Sequence, residues 1–346
     1  MIDAAAGLGA RGYAAAVLGR PGTAWLAAAT RAGIRVRADI RGTWAARVLR
    51  LRAAMRAERA DIVIVKGKKA ARMAAWGRSA GAGGRVVLFL GATHELSPTR
   101  WIDRVTWWAV DAGIVVAHGA ARWYAERGFG PPEKMHVLWK GVDLERFDAA
   151  RADRARTRAV LGLASGELAV GTVARLAWQK GIDDLFETVR LLHPRLPRAR
   201  FFVIGGGRDA AAVRAAAAAP ELGGAVTLLG QRDDVPGLLA AMDLVVQSSR
   251  REAMAQTTLE AMAAGRAVVS TSTVGADEAI EDGVSGLLVP PGNPRALADR
   301  IQELAADPER RDALGRAARD RTARHFTQRA MLDRCEAILQ AIYVPP

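Results

Sequence analysis

The sequence predicts an α/β protein of two parallel-sheet domains, and three observations lead there. At 346 residues the chain is longer than a single hydrophobic core usually serves. Short apolar runs of strand length alternate with amphipathic helical stretches along most of it, the pattern of a parallel sheet wrapped by helices. After Gly141-Val142-Asp143-Leu144-Glu145-Arg146-Phe147 a charged, Arg-rich stretch runs to Leu161 and reads as a linker. The expected division is a first domain at 1–150, a second at 151–330, and a C-terminal helix at 331–346 that packs back toward the first.

Strands of the first half are expected at Ala14–Leu18, Asp61–Val65, Arg85–Leu90, Ala112–Val116 and Lys134–Leu138. Those of the second half are expected at Ala169–Val173, Arg200–Ile204, Ala225–Leu229, Leu244–Gln247, Ala267–Ser270 and Gly286–Val289. Two such units leave a cleft between them as the default site, since open α/β sheets bind ligands beyond the carboxyl ends of their strands. Gly7-Leu8-Gly9-Ala10-Arg11-Gly12 matches GxGxxG, but no strand precedes it. It reads as a helix end leading into the strand near Tyr13 rather than as a dinucleotide fingerprint. Gly205-Gly206-Gly207 directly follows an apolar strand, where glycine lets a backbone approach a ligand or merely makes a tight turn.

Half the residues are apolar and a quarter charged, which excludes a disordered or collagen-like chain. No apolar run approaches the roughly 20 residues that cross a bilayer. Met1-Ile2-Asp3 does not open a secretory signal, and Cys335 is the one cysteine. A cytoplasmic location is expected, with peripheral attachment at the inner face of the membrane as an extension. Net charge is +14, and the first half carries most of it: residues 1–150 hold 24 Lys and Arg against 12 Asp and Glu. Such a surface gathers anionic partners, or is a set of solvated Arg faces. Trp44, Val48, Leu51 and Met55 fall on one helical face flanked by Arg47, Arg50, Arg52, Arg56 and Arg59. That face reads as packing on the sheet before it reads as membrane-seeking. No nucleic-acid motif accompanies the basic charge.

The chemistry-bearing residues sit at strand ends in the second half. Arg175 follows the strand ending at Val173, and Lys180 comes five residues later, before Gly181 and a helix expected from about Asp183. Two cations at one strand mouth suit a diphosphate, though they also suit an exposed helix start. Further on, Glu252 falls in the loop after Leu244–Gln247, and Glu260 lies one to two turns into the next helix. Gln256, Thr257 and Thr258 stand at that helix's N-terminus, where backbone amides are free for a ligand.

Residues from about Gly171 to Pro291 resemble the donor domain of retaining glycosyltransferase family 4, of the GT-B fold. The matching stretches are Ala174-Arg175-Leu176 with Gln179-Lys180-Gly181, Phe202 to Gly207, Leu229 to Val235, Glu252 with Glu260-Ala261-Met262-Ala263-Ala264-Gly265, and Asp282 to Pro290. Gly141 to Phe147 is similar to the segment by which that family leaves its first domain. The resemblance implies two Rossmann-like domains facing a central cleft, and a sugar-nucleotide donor carrying UDP, GDP or ADP. It implies that Arg175 and Lys180 hold the diphosphate, with Gly205, Gly206 and Arg232 nearby, that Glu260 accepts from the ribose hydroxyls, and that Glu252 contacts the transferred sugar. No metal and no cofactor beyond the co-substrate are implied. Retention of anomeric configuration is implied, as is a glycan or lipid-linked acceptor of the cell envelope.

The first half is then the acceptor side. His94, in the loop after Arg85–Leu90, matches a histidine that the family often places against the donor sugar, and Lys66, Lys68 and Lys69 cluster at another strand end. Three departures accompany the resemblance. The family's first strand and glycine loop are not found before the first helix, Ala253 stands where glycine is common, and Lys140 replaces the usual asparagine. A second reading is therefore a catalytically inactive GT-B protein that binds a nucleotide sugar or scaffolds a partner.

Overall fold

The computed structural model describes residues 1–37, 40–79, 83–91 and 100–343. Its contacts divide the chain into two units, Met1–Trp139 with Arg329–Pro346, and Lys140–Gln328.

The first unit runs α1 (Ile2–Ala10), β1 (Ala16–Leu18), α2 (Ala24–Arg31), β2 (Arg35–Arg37), α3 (Trp44–Ala57), β3 (Ile62–Lys66), α4 (Lys68–Gly77), β4 (Arg85–Leu90), α5 (Arg100–Ala109), β5 (Ala112–Val115), α6 (His118–Glu126) and β6 (Met135–Val137). The second unit runs α7 (Leu144–Arg151), α8 (Arg154–Val160), β7 (Leu168–Val173), α9 (Ile182–Leu192), β8 (Ala199–Ile204), α10 (Ala210–Ala217), β9 (Val226–Gly230), α11 (Val235–Ala241), β10 (Leu244–Gln247), α12 (Gln256–Ala263), β11 (Ala267–Thr271), α13 (Ala276–Ala279), β12 (Leu287–Val289), α14 (Pro294–Ala306) and α15 (Pro308–His325). Helix α16 (Gln328–Ile342) returns to the first unit.

In the second unit all six strands are parallel, in the order β12-β11-β10-β7-β8-β9. Both faces are covered, so its strands read as unbroken apolar runs: Phe201, Phe202, Val203 and Ile204 of β8 are all buried. Helix α9 buries Ile182, Leu185, Phe186, Val189 and Leu192, spaced as one face of a helix requires. Asn293 and Asp307 cap α14 and α15 by accepting from the Ala296 and Arg310 amides at 3.0 and 2.9 Å, each ahead of a proline at the first helical position.

The first unit's described strands form two sheets. β3-β4-β5-β6 is parallel throughout, and β1-β2 is a separate parallel pair. Helix α1 serves both: Ile2, Ala5 and Ala6 pack against the core around Val17 and Leu26, while Leu8 joins Val87, Ile114 and the α16 residues Leu332, Cys335 and Ile338. The Gly7 to Gly12 segment is indeed the end of a helix before a strand. Asp111 ties α4 to the sheet. It accepts from the Val86 amide at 2.7 Å and from Arg78 and Arg85. Burial raises its pKa, but these donors outweigh burial and hold the carboxyl below its ordinary value.

Two expectations change. Residues 140–150, assigned to the first domain from sequence, group with the second unit, where Phe147 is buried and α7 packs on α11. The Arg-rich stretch to Leu161 is not a solvated linker. Its Arg154 and Arg158 close on Asp243 at 2.5 and 3.0 Å and donate to the Met242 and Ala241 carbonyls, while Asp243 also accepts from the Ala169 amide. These arginines anchor α8 to the end of α11. Charge spacing alone cannot distinguish an anchoring guanidinium from a solvated one.

Candidate functional site

In the second unit's sheet the order in which strands are added reverses between β7 and β10, because β8 and β9 lie to one side and β11 and β12 to the other. In an open parallel sheet, the loops that leave such a pair diverge and open a crevice at the strands' carboxyl ends. The loop after β7 carries Arg175 and Lys180, and the loop after β10 carries Glu252 and leads into α12 with Glu260. The four residues, spaced along 86 positions of sequence, therefore belong to the two loops that flank the switch point and to the helix that follows one of them.

These loops are fastened together. Arg250 donates to Asp184 at 2.8 and 2.6 Å and to Asp183 at 2.6 Å, and the Arg250 and Arg251 amides donate to the Gln179 carbonyl. The hydrogen bond to Asp184, itself buried, leads the causes that raise the Arg250 pKa above its ordinary value. The Ser248 hydroxyl donates to the Lys180 carbonyl at 3.1 Å. Gly181 has φ +59°, and a Cβ there would lie 2.2 Å from the Ser248 carbonyl oxygen, so only glycine permits this approach. Beneath the loops is a buried polar network. Gln247 donates to Ser249 Oγ at 2.7 Å and accepts from Thr257 Oγ1 at 3.0 Å, and Thr271 donates to the Ser249 carbonyl at 2.6 Å. Every member has a partner, which fixes the backbone above it.

On this frame the site residues take different positions. Arg175 is exposed and, among the described residues, has no hydrogen-bond or ion-pair partner. Lys180 donates directly to Glu252, and both side chains are largely buried. Helix α12 begins at Gln256 after Ala255 with no side-chain cap, leaving its first amides available, while Gln256 Nε2 donates to the Gly141 carbonyl at 3.1 Å. Thr257 and Thr258 occupy the next two positions, and Thr258 is buried. Glu260 stands in the second turn, half-buried. Desolvation pushes its pKa up to about 7, only partly offset by Arg146, the Gln256 hydrogen bond and Lys140.

The glycine loop after β8 is held close to the β7 loop: the Leu176 amide donates to the Gly206 carbonyl at 2.9 Å. Gly205, at φ +139°, would place a Cβ 1.9 Å from the Ala174 carbonyl oxygen, so its glycine is a packing requirement of the two loops. Arg232 is exposed and paired bidentately with Asp234 at 2.8 and 2.6 Å, so its charge is already engaged.

In the first unit, Lys66 ends β3, Gly67 precedes α4 at φ +88°, and Lys68 and Lys69 open that helix. Lys66 and Lys69 are exposed, whereas the Lys68 ammonium sits 4.4 Å over the Phe129 ring. The lysine trio is thus two exposed cations and one engaged with an aromatic face. His94 lies outside the described residues. Both internal departures have a location. Ala253 is fully buried, so its methyl group lies inside the protein, and Lys140 donates to the Met254 carbonyl at 2.5 Å, bracing the loop before α12. Asp184, Arg250, Gln247, Ser249 and Lys140 were not picked out from sequence as parts of the site. Only the position of Arg250 beside Glu252 gave a signal.

A family model described as "Glycosyl transferases group 1" matches residues 153–321. Over these residues the chain is similar to the group 1 glycosyl transferases. The chain is 33% identical over 211 residues to D-inositol 3-phosphate glycosyltransferase of Salinispora tropica, covering 57% of this chain and 44% of that protein. Another relative, the GDP-mannose-dependent monoacylated alpha-(1-6)-phosphatidylinositol monomannoside mannosyltransferase of Corynebacterium glutamicum, is 29% identical, with 62% and 58% covered. The matches thus span about half the length of these curated relatives. Among solved structures, HepE of Anabaena in complex with UDP-glucose aligns with a TM-score of 0.86 at 23% identity, covering 98% of this chain and 94% of that one. Sucrose-phosphate synthase of Thermosynechococcus elongatus aligns at 0.84 with 20% identity, covering 98% and 92%. The chain therefore has the GT-B fold.

Proposed function

We propose that this protein is a retaining, metal-independent glycosyltransferase that moves a sugar from a UDP-, GDP- or ADP-linked donor to a glycan or lipid-linked acceptor of the cell envelope. The observation that carries the reading is the convergence at the β7/β10 switch point of Arg175, Lys180, Glu252, the α12 amides and Glu260. Each part suits one part of such a donor. Arg175 and Lys180 are cations for the diphosphate, and the α12 N-terminus adds amide donors and a positive dipole end. Glu260, once ionised, accepts from a ribose diol, and Glu252 accepts from hydroxyls of the sugar.

Departure of the nucleoside diphosphate builds negative charge on its terminal phosphate. The two cations and the helix amides stabilise that charge, on loop backbones that the Arg250 and Gln247 contacts hold in place. No metal is needed for this step in the proposed mechanism. Front-face attack by the acceptor on an ion pair gives retention. The relatives support a nucleotide-sugar donor: one is named as GDP-mannose-dependent, and HepE is solved with UDP-glucose.

The acceptor side falls to the first unit, with Lys66 and Lys69 as cations for a phosphate-bearing acceptor. A cytoplasmic protein with peripheral attachment to an anionic membrane fits the basic first unit, where Trp44, Leu49 and Trp76 are exposed between arginines of α3 and α4. No helix among the described residues is long and apolar enough to cross a membrane.

A second reading, an inactive GT-B protein that binds nucleotide sugar or scaffolds a partner, is favoured by one observation: the described strands of the first unit form two sheets rather than one. Turnover separates the two. Incubation with labelled UDP-, GDP- and ADP-sugars and a membrane glycolipid extract gives a labelled product and free nucleoside diphosphate on the first reading. On the second it gives donor binding without either.

A further inference from the structure

The first unit contains a second concave site, remote in sequence from every residue discussed above for donor binding. It is a cavity of about 430 Å3 between α6, β6 and α16. Its polar lining is His118, Arg122, His136 and Arg334, and no acidic side chain lines it. We propose that this cavity binds a phosphate monoester.

Three features build the site. His118 follows the carboxyl end of β5 and Val137 ends β6, while Pro132 and Met135 lie at the amino end of β6, so the cavity runs along the edge strand of the sheet. Arg334 and His118 are positioned by neighbouring groups. Arg334 Nε donates to the Val137 carbonyl at 2.7 Å, and its guanidinium lies 5.5 Å from the Trp139 ring centre. His118 meets the same ring edge-on, with centroids 5.9 Å apart and planes at 82°. One tryptophan therefore holds both a guanidinium and an imidazole at the cavity. Arg122, one turn along α6 from His118, is exposed and has no hydrogen-bond or ion-pair partner among the described residues.

Two guanidiniums present planar forks that match phosphate oxygens, and two imidazoles add ring N–H donors. Burial lowers the His136 pKa and so favours its neutral ring, in which one nitrogen donates and the other accepts. The apolar remainder, Ala121, Met135 and Ile338 among it, suits the carbon skeleton of a small ester. The volume lies in the range of small-molecule sites, about 300 to 1,000 Å3.

The test is selective carbon-13 labelling of the histidine rings, followed by titration with glycerol 3-phosphate, with chloride at matched ionic strength as control. Saturable shifts of His118 and His136, with His193 and His325 unmoved, are expected. Arg122→Ala should weaken binding about tenfold, the scale of one charge-assisted hydrogen bond, with an unchanged melting temperature. Arg334→Lys, which keeps charge but loses the fork, should weaken it as well. A parallel titration with phosphatidic acid vesicles separates the sources: response to the soluble ester assigns a free metabolite, and response to vesicles alone assigns a lipid headgroup. No saturable shift with either ligand, equal shifts at His193 and His325, or undiminished affinity in Arg122→Ala would overturn the proposal. Because the readout is local to the first unit, it does not depend on the donor reading.

Discussion

Lys180 Nζ donates to Glu252 Oε2, joining across the switch point two residues that the sequence suggested for different parts of one ligand. The pairing gives an order of events. In the proposed mechanism Glu252 holds the ammonium in place until a diphosphate competes for it, and the carboxylate is then released to the sugar hydroxyls. Lys180→Ala removes the cation and leaves Glu252 unpaired, so nucleoside diphosphate affinity should fall roughly ten- to hundredfold. Glu252→Gln removes only the competitor. It should leave diphosphate affinity equal or greater while transfer of the sugar falls, and calorimetry beside a turnover assay reads both.

Glu260 makes a pH-dependent prediction in two parts. Its pKa is raised by burial from 4.5 to about 7, so between these values the folded protein keeps a proton that the unfolded chain has lost. Stability from this residue is full below pH 4.5 and is lost as pH rises through 7, by up to about 3 kcal/mol. Glu260→Gln should therefore raise the melting temperature at pH 8 and leave it nearly unchanged at pH 4.5. Donor affinity should move oppositely in the unmodified protein. It should increase as pH passes through 7, because the ionised carboxylate accepts from the ribose hydroxyls.

The clamp on Asp243 predicts that the Arg-rich stretch behaves as core-anchoring structure. Asp243→Ala strips Arg154 and Arg158 of their shared partner and frees the Ala169 amide. A loss of about 3 kcal/mol in urea unfolding is expected. A solvated linker would change by less than about 0.5 kcal/mol.

Gly205→Ala sets a Cβ against the Ala174 carbonyl in a backbone conformation that alanine rarely adopts. It should cost about 2 kcal/mol or more in stability and displace the β7 loop that carries Arg175 and Lys180. Gly206→Ala is the control, since a Cβ there meets only Gln231 at 3.6 Å. Its melting temperature should stay near that of the unmodified protein.

The second unit was legible because its strands are buried on both faces and its helices present one apolar face. Leu244–Gln247 was located to the residue from sequence, and the other five strands within one residue at either end. β2 was missed because Arg35-Val36-Arg37 has a single apolar residue. Its strand is held by pairing with β1 and by Glu58, which takes both arginines, and neither relation is local in sequence. The site divided in the same way. Arg175, Lys180 and Glu252 follow strand ends and Glu260 stands in the second turn of the next helix, where spacing reveals them. The Asp184, Gln247 and Lys140 contacts that fix them are tertiary, and no spacing predicts a lysine meeting a carbonyl 114 residues away. Arg232 and Lys68 show the converse: both looked available in sequence, and a neighbouring Asp234 and the Phe129 ring occupy them.

The account rests on a donor site at the β7/β10 switch point, and calorimetric titration tests it most directly. UDP, GDP, ADP and their sugar conjugates are each titrated into the protein and into its Lys180→Ala and Glu260→Ala variants. Binding of one nucleotide class, weakened at least about tenfold by either substitution, is the predicted result. Absence of binding by a folded chain, or binding that both variants leave untouched, would contradict it.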